Sequence, residues 1–181
     1  MSMYSDGHET AGLFEPVRII FICYENICRS PMAEGIFTNL LVSRGLHHYF
    51  SVSSAGTVSY QSGSSPDQRA VAALHALGID ISSMSACGIN TLDLDDFDWI
   101  FVMDYENYED VASLLPASDS PKIHRIMEFV EERRHEEVRD PYYGSREDFI
   151  QVRNDLLLAS EMILNKMITL YPFLEQRDLN R

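Results

Sequence analysis

The junction at residues 17–31 limits the possible folds of this chain more than any other segment. Val17 to Cys23 is a short, β-branched apolar run whose pattern asks for burial on both faces. A polar loop, Tyr24-Glu25-Asn26-Ile27, comes next, and Ser30-Pro31 signals a helix start, a cap residue followed by proline at a first-turn position. Apolar Met32, Ala33, Ile36, Phe37, Leu40 and Leu41 recur at helical spacing, and Gly45 ends the helix. A doubly buried strand feeding a helix belongs inside a sheet that is covered on both sides.

The remaining pattern agrees. Residues 50–55 read as a second short strand running into a Gly/Ser-rich loop, and Pro66-Asp67 opens a helix to about Leu77, closed by Gly78. Trp99 to Met103 reads as a third strand, Glu106 to Leu115 as a helix, and residues 123–126 as a fourth short strand. Phe149 to about Tyr171 is a long amphipathic helix that stops before Pro172. The alternation predicts an α/β fold: a single domain with a short, about four-stranded parallel sheet, helices on both faces, and a ligand site at the carboxyl ends of the strands. The domain is expected over 17–173, with a loose N-terminal extension at 1–16 and a C-terminal tail at 174–181.

Charge narrows the choice of partner. Fourteen Lys and Arg stand against 28 Asp and Glu, a net charge of −14, and there is no basic patch, which argues against nucleic acid and anionic membranes. No apolar run approaches the roughly 20 residues of a membrane span, and residues 1–12 lack the basic and apolar regions of a secretory signal, so a cytoplasmic location is expected. Three cysteines, an odd number, argue against a disulfide framework and leave Cys23 and Cys28, five residues apart, as a reactive or redox pair. Six scattered histidines offer no zinc spacing, so no metal is expected. The charge run at 131–137 reads as a solvated connection. The oligomeric state is left open.

The loop Cys23-Tyr24-Glu25-Asn26-Ile27-Cys28-Arg29-Ser30 carries the chemistry. Backbone N–H groups converging there, the helix N-terminus and the planar fork of Arg29 can together hold a phosphate-like oxyanion. The same field favours a thiolate at Cys23, and the Ser30 hydroxyl can donate to that sulfur.

The text CYENICRSP resembles the C-x-G-N-x-C-R-S-P loop of the low-molecular-weight protein tyrosine phosphatases. Further blocks match in order: Ser54-Ala55-Gly56-Thr57, Tyr60, Pro66-Asp67-Gln68-Arg69, Met103-Asp104 with Asn107, and Asp140-Pro141-Tyr142-Tyr143-Gly144. The resemblance spans about Val17 to Tyr171 and implies a cofactor-independent phosphatase of phosphotyrosine proteins and small aryl phosphates. In it Cys23 is the nucleophile that becomes phosphocysteine, Arg29 binds the equatorial oxygens, and Asp140 is general acid and then base. Residues 24–28 and Ser30 would line the phosphate. Tyr24, Tyr60, Tyr142 and Tyr143 are candidates for the aromatic walls of a pocket deep enough to favour a ring. Asn26, Ser30, Ser54 and Asp104 would support the loop, and Cys28 could bridge to Cys23 under peroxide.

Two departures matter. Glu25 stands where the family usually has Gly, and Glu tolerates an unusual backbone conformation less well than Gly does. A carboxylate about 6 Å from bound phosphate would cost ~3 kcal/mol at an effective dielectric of about 20, so an outward rotamer is expected. Segment 82–88 lacks the His and the Arg-Gln pair of relatives, which implies a less rigidly held Asn26 and a slower reaction; Cys87 reads as a small buried hydrophobe ahead of a strand. Two rival readings are a non-catalytic phosphotyrosine- or phosphate-binding relative, motivated by these departures, and an arsenate reductase. The second is opposed by the lack of any cysteine after Cys87.

Overall fold

The computed structural model describes residues 15–174. The N-terminal extension and the tail of the sequence reading therefore lie largely outside the described residues. Four parallel strands form one sheet in the order β2-β1-β3-β4: β1 (Val17–Cys23), β2 (Phe50–Gly56), β3 (Trp99–Val102) and β4 (Ile123–Arg125). Four helices of eight or more residues accompany them: α1 (Arg29–Ser43), α2 (Gln68–His75), α3 (Tyr105–Ala112) and α4 (Arg146–Leu170).

The period of two along β1 builds two cores. Ile19, Phe21 and Cys23 face a large cluster with Met32, Phe37, Leu74, Phe149 and Ile163, so α1, α2 and α4 cover that side. Ile20 and Ile22 face a smaller cluster with Ile100, Val102, Ile89, Leu94 and Val111, the last from α3. Leu174 is also buried in the larger core, so packing reaches into the segment assigned to the tail.

Boundaries differ where side-chain chemistry outweighs pattern. Helix α1 begins at Arg29 with Cys28 at its cap, one residue before the Ser30-Pro31 signal, because the Ser30 hydroxyl faces Cys23 and Ala55 instead of capping. Helix α4 begins at Arg146, three residues before the apolar pattern, because the Asp148 carboxylate accepts from the Ser145 N–H and fixes an extra turn. Asp67 caps α2 through the Arg69 N–H, and Gly78 takes φ 75° in the turn beyond it. No strand directly follows Cys87, which is half-buried, not fully buried. Gly88 makes one parallel bridge to Gly56, and a 3-10 turn, Ile89–Thr91, comes next. The run at 131–137 is more than a solvated connection, for Arg133 pairs with Glu136 and with the buried Asp155 of α4.

This topology places the site. The chain leaves β1 toward β2 on one side and returns to β3 on the other, so the carboxyl end of β1, where Cys23 sits, is the switch point of the sheet. Gly56 pairs in register with Cys23, and a Cβ there would come within 2.7 Å of the Tyr24 carbonyl and 2.9 Å of that of Val58. Gly56→Ala is therefore expected to displace the loop and cost about 1–3 kcal/mol in a urea titration. An unchanged midpoint would refute this account of the loop's support.

Candidate active site

Trans peptide geometry orients the loop. The carbonyls of Cys23, Tyr24 and Ile27 accept from the N–H groups of Thr57, Val58 and Asp67, so the loop is tied from outside by its oxygens. In a trans peptide the N–H points opposite to the C=O, which aims the N–H groups of Tyr24, Glu25 and Cys28 into the loop. The start of α1 adds its dipole from below.

Asn26 is the residue that turns the chain. Among the described residues it is the one non-glycine with positive φ, 59°, a conformation Asn tolerates. The unusual backbone expected at Glu25 thus falls one position later. The Asn26 amide nitrogen donates to Ser30 Oγ and to Ser54 Oγ, 2.9 Å each, and its oxygen accepts from the Cys87 N–H at 2.9 Å. The loosened Asn26 expected from the altered 82–88 segment is not found. A backbone N–H from that segment, available whatever the side chain, secures the amide. Ser30 Oγ lies 3.0 Å from Cys23 Sγ and 3.2 Å from the Ala55 carbonyl.

Arg29 is 2% exposed. Its Nη1 donates to Asp104 and to the Val138 carbonyl (2.9 Å), and its Nη2 donates to Asp140 at 3.0 Å. Its Nε is buried without a partner. Burial alone would weaken the charge, but the Cys23, Asp140 and Asp104 charges outweigh it and hold the guanidinium protonated. Asp104 also caps α3 through the Asn107 N–H.

Cys23, Tyr24, Glu25, Ile27, Cys28, Arg29, Asp140, Tyr142 and Tyr143 line one cleft of about 290 Å³, together with Gln61. Asn26, Ser30, Ser54 and Asp104 stand behind it in the hydrogen-bond network. Tyr60 is 79% exposed and does not line the cleft; its neighbour Gln61 lines the wall instead. Cys28 is buried, and burial pushes its thiol well above the usual range, followed by the Asp67 and Cys23 charges, so it is held as a thiol. Among the described residues no group of His, Cys, Asp and Glu is arranged to hold a metal, and no helix is long and apolar enough to cross a membrane.

Two participants escaped the sequence reading. Arg69 grips Asp67 through Nε and Nη2 and donates to the carbonyls of Tyr142 and Gly144, fastening the 140–144 segment to the start of α2. Glu34, one helical turn beyond Ser30, accepts from Ser54 Oγ at 2.6 Å and closes the network behind Asn26. The matching block at 66–69 was the available signal for Arg69, and Glu34, whose partner lies 20 residues away, carried none.

Residues 18–169 match the low molecular weight phosphotyrosine protein phosphatase family. The low molecular weight protein-tyrosine-phosphatase YfkJ of Bacillus subtilis is 36% identical over 137 residues, covering 75% of this chain and 88% of the relative. The human low molecular weight phosphotyrosine protein phosphatase is 31% identical over 150 residues, covering 82% and 94%. The crystal structure of YfkJ superposes with a TM-score of 0.81 at 33% identity, covering 88% of this chain and 99% of that one.

Glu34 offers a test of the buried network. Burial pushes its carboxyl up, partly offset by the Ser54 hydroxyl. As pH rises the unfolded chain therefore releases this proton first, and stability falls from the ordinary carboxylate range upward until the folded group has ionised as well. Glu34→Gln keeps an acceptor for Ser54 and removes the titration. Its urea midpoint relative to wild type is expected to rise as the pH is raised through and above the ordinary carboxylate range, and a difference independent of pH would contradict the assignment. With this site at the carboxyl end of its central strand, the chain belongs to the low molecular weight phosphotyrosine protein phosphatase family.

Proposed function

We propose that this protein is a cysteine-dependent protein tyrosine phosphatase that needs no cofactor and hydrolyses phosphotyrosine and aryl phosphates. The observation that carries the reading is the meeting of Cys23 Sγ, the buried and partly unpartnered Arg29 and the Asp140 carboxylate in one cleft. Phosphate entering the loop meets inward N–H groups, and Arg29 Nε and Nη2 present a two-pronged fork to its oxygens. Nη2 gives one of its two N–H groups to Asp140 and has the other for the phosphate.

The Cys23 thiolate then attacks phosphorus. The S–P bond forms, the P–O bond to tyrosine breaks, and the protonated Asp140 gives its proton to the leaving phenolate. A water next attacks the phosphocysteine and yields its proton to Asp140. The S–P bond breaks, releasing inorganic phosphate and restoring the thiolate. Ser30, 3.0 Å from the sulfur, favours the charged form by donating to it and so makes it a better leaving group. Aromatic walls from Tyr24 and Tyr142, with Tyr143 at the rim, suit a flat phenyl ring. A cytoplasmic, reducing setting fits three free thiols.

The test is turnover of p-nitrophenyl phosphate and a phosphotyrosine peptide without metal. Wild type is expected to turn over both, Cys23→Ser neither, and Asp140→Ala to lose about a hundredfold or more in kcat. Retained binding of phosphate without turnover in reduced wild type would replace this reading with a binding module.

Redox behaviour follows from the same cleft. Peroxide would oxidise the Cys23 thiolate to a sulfenic acid with loss of water, and the Cys28 thiol would displace a second water to form a disulfide. With peroxide in excess, a second equivalent takes an unprotected Cys23 sulfenic acid to the sulfinic acid, so activity is expected to return with dithiothreitol in wild type and to fail to return in Cys28→Ser. Equal recovery in both would exclude Cys28 as the resolving thiol.

A further inference from the structure

The mouth of the cleft is acidic in a way that phosphate binding does not explain: Glu25 lines it, and two carboxylates of the neighbouring α3 act on the Tyr24 that forms its wall. Glu25 borders the cleft from within the loop. Glu106 and Asp110 lie four residues apart on one face of α3, the helix whose N-cap, Asp104, holds Arg29. None of the three carboxylates has a hydrogen-bond or ion-pair partner among the described residues. All three act on the Tyr24 phenol at the mouth, which partial burial and Tyr60 push up first and these charges push further. Arg139, the cation beside Asp140, faces away and acts on Glu136 and Asp148.

Such a rim is a poor design for a bare phosphate, which it repels. The floor of the same cleft is built for an anion, since the Arg29 guanidinium is 2% exposed and its Nε is unpartnered. A ligand that satisfies both surfaces carries a phosphoryl group and, within reach of it, a cation. Resting on the phosphatase reading above, we propose that the rim selects phosphotyrosine flanked by lysine or arginine, with Glu25 as the residue that sets the preference. The net charge of −14 steers the same substrates toward the cleft from a distance.

The experiment compares two phosphotyrosine peptides, one with arginine and one with glutamate on either side. Each kcat/KM is divided by that of p-nitrophenyl phosphate for the same variant, so that a general loss of activity cancels. Wild type is expected to favour the basic peptide about tenfold at low salt, falling toward parity in about 0.5 M salt as the rim charges are screened. Glu25→Gln is expected to cut the preference about threefold, and Glu25→Gln with Glu106→Gln and Asp110→Asn to remove it. A parallel arm measures binding of both peptides to Cys23→Ser by fluorescence anisotropy. A preference there, with no turnover by wild type, would uphold the rim and overturn the phosphatase reading. Equal kcat/KM and equal binding for the two peptides, or a preference undiminished in the triple variant, would overturn the proposal itself.

Discussion

A guanidinium that is 2% exposed has to be answered by charge or by hydrogen bonds from the chain itself, and Arg29 draws the site together in meeting that demand. Its partners come from far along the sequence: Asp104 after β3, the Val138 carbonyl, and Asp140. Removing one partner of such a buried cation typically costs about 3–5 kcal/mol, because the remaining charge cannot recover its hydration. The segment from 138 to 140 is therefore drawn against the carboxyl end of the sheet by electrostatics before any substrate is considered. The Val138 N–H donating to the Met103 carbonyl gives the same docking a backbone anchor. Of its five N–H donors three are used, and the Nε–H and the second N–H of Nη2 are left for a ligand.

The loop solves a second problem, that of turning the chain between a buried strand and a helix without a glycine at residue 25. Asn26 takes the left-handed conformation, and three hydrogen bonds fasten its side chain. Glu25 is then under no backbone demand that only glycine could meet, which is why a carboxylate is tolerated in the loop. The altered 82–88 segment is tolerated for a related reason. What it supplies to Asn26 is the Cys87 N–H, held in place by the bridge between Gly56 and Gly88. Side chains there can change while the amide stays anchored.

Much of this was legible in the sequence, and the reasons are local. The strand from 17 to 23 announces itself by composition, and the loop by an uncommon run of Cys, Asn, Arg, Ser and Pro next to a helix start. The order of elements and the sheet end on which a site would lie followed from alternation alone. Contacts made at long range were not legible. Arg69 stands in a matching block with no task that the sequence could name, and only the fold brings the carbonyls of Tyr142 and Gly144 to it. Tyr60 matched a block by position, yet the direction of its side chain depends on how residues 57–64 run over the surface. Asp140 is one of 28 acidic residues, and a matching segment, not any property of the residue, distinguished it.

Asp140 sits between two arginines with different tasks, and that division has a mechanical consequence. Arg69 holds the backbone of the 140–144 segment from outside through carbonyl oxygens, backed by its own pairing with Asp67 and by stacking on Phe149 at 4.5 Å. Arg29 holds the Asp140 side chain from inside through a single 3.0 Å contact. An incoming phosphate competes only for the second. The other carboxylate oxygen of Asp140 accepts from the Tyr142 N–H at 3.0 Å, so a carboxylate that gave up Nη2 would still be tied to the segment whose backbone Arg69 holds. Asp140, 45% exposed in its side chain, is thereby kept at the mouth of the cleft, which is where a leaving phenolate would need its proton.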